Sequence, residues 1–189
     1  MESSAFQLSR VYSQGWNAAR KLLAAGKGDL DAKAAAARNP YRTGEENARW
    51  TKGNVVFATL NVPGPSGKSP SASETSARHA ANVAWLNAAF DQAQAADSAA
   101  VMIIFQDDPF DGSADTSLMS TLKSRTTAFG KPVVLVHGDT HTFRIDHPWS
   151  GVPNFTRVET YGTGGTNKWI RATVDPSKAN VFSFTTMTS

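Results

Sequence analysis

The chain has no cysteine. That excludes a disulfide scaffold and any thiolate metal site, and it leaves the cellular compartment open. No apolar stretch approaches the ~20 residues of a membrane span, so a membrane is not an expected partner. The first thirty residues are polar and Ala-rich, without the apolar run of a signal peptide. Charge is also sparse: 19% of residues are charged, 19 basic against 16 acidic, for a net charge of +3. The basic residues are scattered and form no aromatic–basic stripe, so nucleic acid is not an expected partner either.

What remains is a globular composition. With 189 residues, 40% of them hydrophobic, the chain can bury a full core. No internal repeat or long linker divides it, so 1–189 reads as a single domain. Apolar runs at 54–61, 99–105 and 133–136 predict buried strands, and helical patterns at 74–96 and 116–128 lie between them. Short alternating segments, "FTRVETYG", "KWIRATVDP" and "NVFSFTT", predict antiparallel strands in the tail. Two Ala-rich helices are expected near the start, at 4–25 and 29–38. The fold class that follows is α/β, a layered core with a mixed sheet and antiparallel C-terminal strands.

The stretch "LNVPGPSGKS" at 60–69 imitates a phosphate-binding loop, since it joins a strand to a helix and ends in Gly-Lys-Ser. The required spacing fails, because Val62 stands where the first glycine belongs. Pro63 and Pro65 have no N–H to donate, and Pro70 keeps Ser69 out of helical geometry. A Pro-rich surface connection is the better reading.

The chemistry concentrates in "VVLVHGDTHTFRIDHPW", 133–149. Three of the four histidines, His137, His141 and His147, fall in this stretch. A buried strand delivers His137, Asp139 and His141 at its carboxyl end, the edge where α/β sheets bind ligands. The preceding strand ends in Gln106, Asp107 and Asp108. Parallel pairing would bring these groups together, and imidazole with carboxylate suits Mn, Zn or Fe. Loop polars capping strand ends would look the same on spacing alone. An esterase using His141 with Ser150 and Asp146 is a further alternative, although no G-x-S-x-G elbow exists.

"VVLVHGDTH" resembles the last motif of calcineurin-like metallophosphoesterases, Gly-His-x-His after a buried strand. Gly138 and His141 fall on its Gly and second His, while Asp139 replaces the first His. "VMIIFQDDPF" resembles the preceding strand, with Gln106-Asp107 where a His ligand is usual. "EENARWTKGNVVFATLNVPG", "ANVAWLNAAFDQA" and "NFTRVETYGTGGTNKWIRATVDP" extend the likeness, in order, to the C-terminal half of a bacterial, often exported subgroup.

The resemblance implies an αββα-type layered fold lacking its N-terminal half, because the Asp-x-His, Gly-Asp and Gly-Asn-His motifs of that half are not found. It also implies phosphoester hydrolysis with at most one divalent metal. The implied ligands are His137, His141, Asp139 and Asp107, with His141 and Asp139 also catalytic. Arg144 would bind a substrate phosphate or pair with Asp146. A half-domain exposes an apolar face, so a homo-oligomer or a partner supplying the other half is expected. The competing class is a non-catalytic binding or assembly module that keeps the fold.

If 60–69 is only a connection, Lys68→Ala leaves the melting temperature unchanged, and ATP does not raise it in either protein. An ATP-dependent rise that is lost in Lys68→Ala would restore the phosphate-loop reading.

Overall fold

The computed structural model describes residues 4–8, 47–63, 72–112, 115–162 and 167–188. In chain order its elements are β1 (Ser4–Leu8), β2 (Arg49–Lys52), β3 (Val55–Thr59), α1 (Ala72–Ala95), β4 (Ala100–Ile104), α2 (Thr116–Phe129), β5 (Val133–His137), β6 (Arg144–Asp146), β7 (Phe155–Glu159), β8 (Lys168–Val174) and β9 (Phe182–Thr188). They form an α/β structure with two sheets. One has six strands in the order β2-β3-β4-β5-β7-β6, and the other has three in the order β1-β8-β9.

In the larger sheet β3, β4, β5 and β7 run parallel. The edge strands β2 and β6 are antiparallel to their neighbours. Every residue of β3 and β5 is buried, as parallel strands covered on both faces require. Alternate residues serve opposite cores. Val56, Ala58, Val101, Ile103, Val133, Leu135 and Phe155 pack with Trp85, Leu86 and Phe90 of α1 and Leu118 and Leu122 of α2. On the other face Val55, Phe57, Met102, Val134, Val136 and Val158 meet Ile170, Ala172 and Val174 of β8. The result is three layers: a helix pair, the mixed sheet and the small antiparallel sheet.

Local chemistry fixes the helices. One stripe of α1, including Trp85, Leu86, Ala89, Phe90 and Ala93, is buried. Asp115 caps α2 by accepting from the Ser117 N–H at 2.9 Å, and Gly130 ends it in the left-handed conformation at φ 68°. The Asn154 amide then ties the end of α2 to the later chain, donating to the Thr126 and Lys131 carbonyls at 2.9 Å each.

Several expectations need correction. Residues 4–8 are a strand, not the start of a helix, and they pair antiparallel with β8. The remainder of 4–25, the helix expected at 29–38 and the Gly-Lys-Ser stretch lie outside the described residues. β2 lies in a polar stretch before the first predicted strand, where no strand was expected. It folds back on β3 through Gly53 and Asn54, whose φ values of 55° and 61° suit a two-residue hairpin turn. The expected antiparallel tail holds for β8 and β9. It holds for β7 on one side only: β7 pairs antiparallel with β6 but crosses over to lie parallel to β5.

Phe155 is fully buried and stacks on Trp149 at 4.0 Å between centroids. Phe155→Ala is expected to cost about 3–5 kcal/mol by urea denaturation. Ile145→Ala, at a position 42% exposed on β6, should change stability by no more than about 0.5 kcal/mol. Comparable losses at the two sites would contradict this core.

Candidate functional site

Parallel pairing brings the carboxyl ends of β4, β5 and β7 to one edge, and the hydrogen-bond ladder continues past them. The Phe105 N–H donates to the Val136 carbonyl at 3.1 Å, Gly138 to Gln106 at 3.0 Å, and Thr160 to His137 at 2.9 Å. The first residues of each loop are thereby held as firmly as the strands. Buried polar groups gather there: Asp107, Asp108, His137, Arg157 and Glu159 are each 7% exposed or less.

His137 ends β5 with its side chain fully buried. Its Nδ1 lies 3.0 Å from the Gly138 carbonyl oxygen. A carbonyl can only accept, so Nδ1 carries the proton and Nε2 presents a lone pair. That Nε2 has no hydrogen-bond partner, and it faces Asp108 Oδ1 at 4.0 Å. Burial holds the imidazole pKa below its ordinary value, overcoming the pull of the Gly138 carbonyl and of Asp108. A neutral histidine with Nδ1 bonded to a carbonyl and Nε2 open is in the state that binds metal.

The carboxylates beside it are crowded. Asp107 is 6% exposed, and its Oδ1 has no partner. Burial, and then the charges of Asp139, Asp111 and Asp108, push its pKa up to about 7. Asp108 Oδ1 accepts from the Phe110 N–H at 3.0 Å. Asp139 Oδ1 accepts from the Gln106 amide at 2.9 Å. Asp139 and His141 both hold positive φ, 81° and 66°. His141 is exposed at the rim.

A second set of charges is already neutralised. The Arg157 Nε donates to Asp146 Oδ1 at 2.8 Å, and its Nη2 pairs with Oδ2 of the same carboxylate. Glu159, fully buried, accepts from the Thr140 hydroxyl. The Arg144 Nε stands 2.7 Å from Glu159 Oε2, within ionic reach but off the axis of a hydrogen bond. Arg144 was expected to hold a substrate phosphate or pair with Asp146. Its charge is committed to Glu159, while Asp146 belongs to Arg157.

The structure therefore sets His137 beside Asp108, and crowds Asp107 with Asp139, at adjacent strand ends. Among the described residues, no three His, Asp or Glu side chains are close enough to share one metal ion. The sequence pointed to Asp139 and Asp107 as the carboxylate ligands, but Asp108 is the one that faces His137. It also passed over Glu159 and Arg157. The signal for Glu159 was a lone acid closing an apolar strand, and its meaning depends on β7 lying against β5. Among the described residues, no helix is long and apolar enough to cross a membrane. Comparison of the chain with protein-family models, curated proteins and solved structures finds no match.

The raised Asp107 pKa has a definite consequence for metal-free protein. Between the ordinary carboxyl value of 3.8 and about 7, the folded state holds a proton that the unfolded state has released. Stability from this group is thus greatest at low pH and is lost as pH rises toward 7. Asp107→Asn keeps the neutral form throughout. In chelator, the variant should melt clearly above the parent at pH 8, and close to it at pH 4. Equal melting differences at both pH values would show that Asp107 is not held in this environment.

Proposed function

We propose that the chain is a divergent relative of calcineurin-like metallophosphoesterases, corresponding to the C-terminal half of that domain. Its reaction would be hydrolysis of a phosphoester aided by one divalent cation. The observation that carries this reading is the setting of two buried metal-ligating groups side by side: the open Nε2 of His137 and the Asp108 carboxylate 4.0 Å away. The unpartnered oxygen of Asp107 adds to it. A buried acceptor without a hydrogen bond, as at His137 Nε2 and Asp107 Oδ1, is costly, and a cation would remove the cost.

The donors suit Mn, Zn or Fe in kind. His137, Asp107, Asp108 and Asp139 would hold the ion, and His141 could join from the loop. When bound, the ion would supply charge for a phosphoryl oxygen and a more acidic water. The absence of a ready three-donor group among the described residues implies weak binding and at most one ion. His141, exposed at the rim, is the group suited to hand a proton to a leaving oxygen. Asp139 restrains the loop through Gln106. Arg144 neutralises Glu159.

The same lack of convergent donors favours a second reading, a non-catalytic module that keeps the fold and works through a homo-oligomer or a partner chain. A metal-independent esterase has less support, because Asp146 is bonded to Arg157.

Calorimetric titration with Mn and Zn, beside p-nitrophenyl phosphate and p-nitrophenyl acetate assays, separates these readings. The metal-dependent reading expects weak one-to-one binding that declines below pH ~6.5, where imidazoles protonate. His137→Ala should weaken it at least about tenfold, or ~1.4 kcal/mol, with the fold retained. Asp108→Asn should weaken it more than Asp107→Asn does. A parent without metal uptake or phosphatase activity leaves the assembly reading in possession.

A further inference from the structure

Two loops meet at His141. One leaves β5 through residues 138–143, and the other leaves β7 through 160–162. Backbone pairing joins them first, with the Thr160 N–H on the His137 carbonyl. The Thr140 hydroxyl then reaches Glu159. Phe143 stacks on Tyr161, with centroids 4.4 Å apart and rings 16° from parallel. Closest of all is the approach of His141 to Gly162. A Cβ on Gly162 would lie 2.2 Å from both Cβ and Cγ of His141, and 2.8 Å from its Cδ2. No side chain fits at such distances.

The residue types at these two positions run against backbone comfort. Gly162 does not have positive φ, so the backbone there does not require glycine. His141 does, at φ 66°, in the left-handed region where a residue with a Cβ is strained. A chain optimised for the backbone alone would place the glycine at 141 and a larger residue at 162. This chain does the reverse, and the effect is to seat an imidazole in one place against the exit of β7.

We propose that Gly162 is a positioning residue, whose missing side chain leaves the space that fixes the His141 imidazole at the rim of the candidate site. Its functional meaning rests on the metal-dependent reading above, while its structural content does not. The exit of β7 thereby acts as a template for the loop that follows β5.

A double-mutant cycle tests this with Gly162→Ala, His141→Gly and the two combined, using full-length protein. Imidazole proton–nitrogen spectra are recorded without metal, and the His141 signal is assigned by its loss in His141→Gly. Gly162→Ala should lower the melting temperature by several degrees and move the His141 signal, while the His147 signal stays in place. In the His141→Gly background the same substitution should cost nothing. Should Gly162→Ala alone fail to fold, a folded double variant supports the proposal, and an unfolded one overturns it. An unmoved His141 signal, or a loss of stability that persists in the double variant, also overturns it. Metal titration of the parent stands apart: a parent that takes up no Mn or Zn defeats the metal-dependent reading and leaves the seat of His141 to be decided by the cycle.

Discussion

The parallel register of β5 against β7 is the constraint on which the candidate site depends. It sets His137 opposite Glu159, and both are fully buried. The register is itself enforced by packing. Val133 and Leu135 face the helix pair, whereas Val134 and Val136 face the small sheet. A slip of one residue would exchange these faces and carry His137 to the opposite side of the sheet. Two apolar cores therefore specify the position of one imidazole, and the ladder beyond the strand ends extends that precision into the loops.

The charges at this edge divide into a settled set and an unsettled one. Arg157 and Asp146 satisfy each other, and Arg144 with Thr140 serves Glu159. Across the edge, Asp108 faces a neutral His137, and Asp107 is crowded by Asp139, Asp111 and Asp108. Arg157 is the cation that reaches toward both sets. Asp146 chiefly raises its pKa, with Asp108 and Glu159 adding to the effect. Its hydrogen bonds nevertheless go to Asp146, and its guanidinium lies over the Phe110 ring at 4.6 Å. The acids crowd one another, and Arg157 reaches Asp108 through space only. Such an arrangement disfavours the ionised state of a buried carboxylate, and Asp107 shows this directly.

The parts of this fold legible in sequence were those governed by local pattern. β3, β4 and β5 are continuous apolar runs, and α1 and α2 keep a helical period. The short edges were not legible, because β2 and β6 are built largely of polar residues and owe their existence to a neighbouring strand. Strand direction was also hidden. "FTRVE" alternates as a half-buried strand should, yet nothing within it says that it lies parallel to β5. The site followed the same division. That acids and histidines would gather at the carboxyl edge could be read from two strand ends. Which of Asp107 and Asp108 faces His137 could not, since neighbouring loop residues point in different directions. The exchange of partners between Arg144 and Arg157 likewise depends on the crossover that brings β7 beside β5.

The loop after β5 carries one more physical signature. Gly138 takes an ordinary φ, while Asp139 and His141 take positive values. Asp and His tolerate the left-handed region better than most residues do, but less well than glycine. The loop thus holds side chains with chemistry where a glycine would have been more comfortable. Its strain is held in place by contacts already in hand: Gln106 on Asp139, Thr140 on Glu159 and the Phe143–Tyr161 stack. A loop serving only as a connection gains nothing from that arrangement, since glycine at either position would relieve it. The strain therefore points to the Asp139 carboxylate and the His141 imidazole as the reason for the loop's shape.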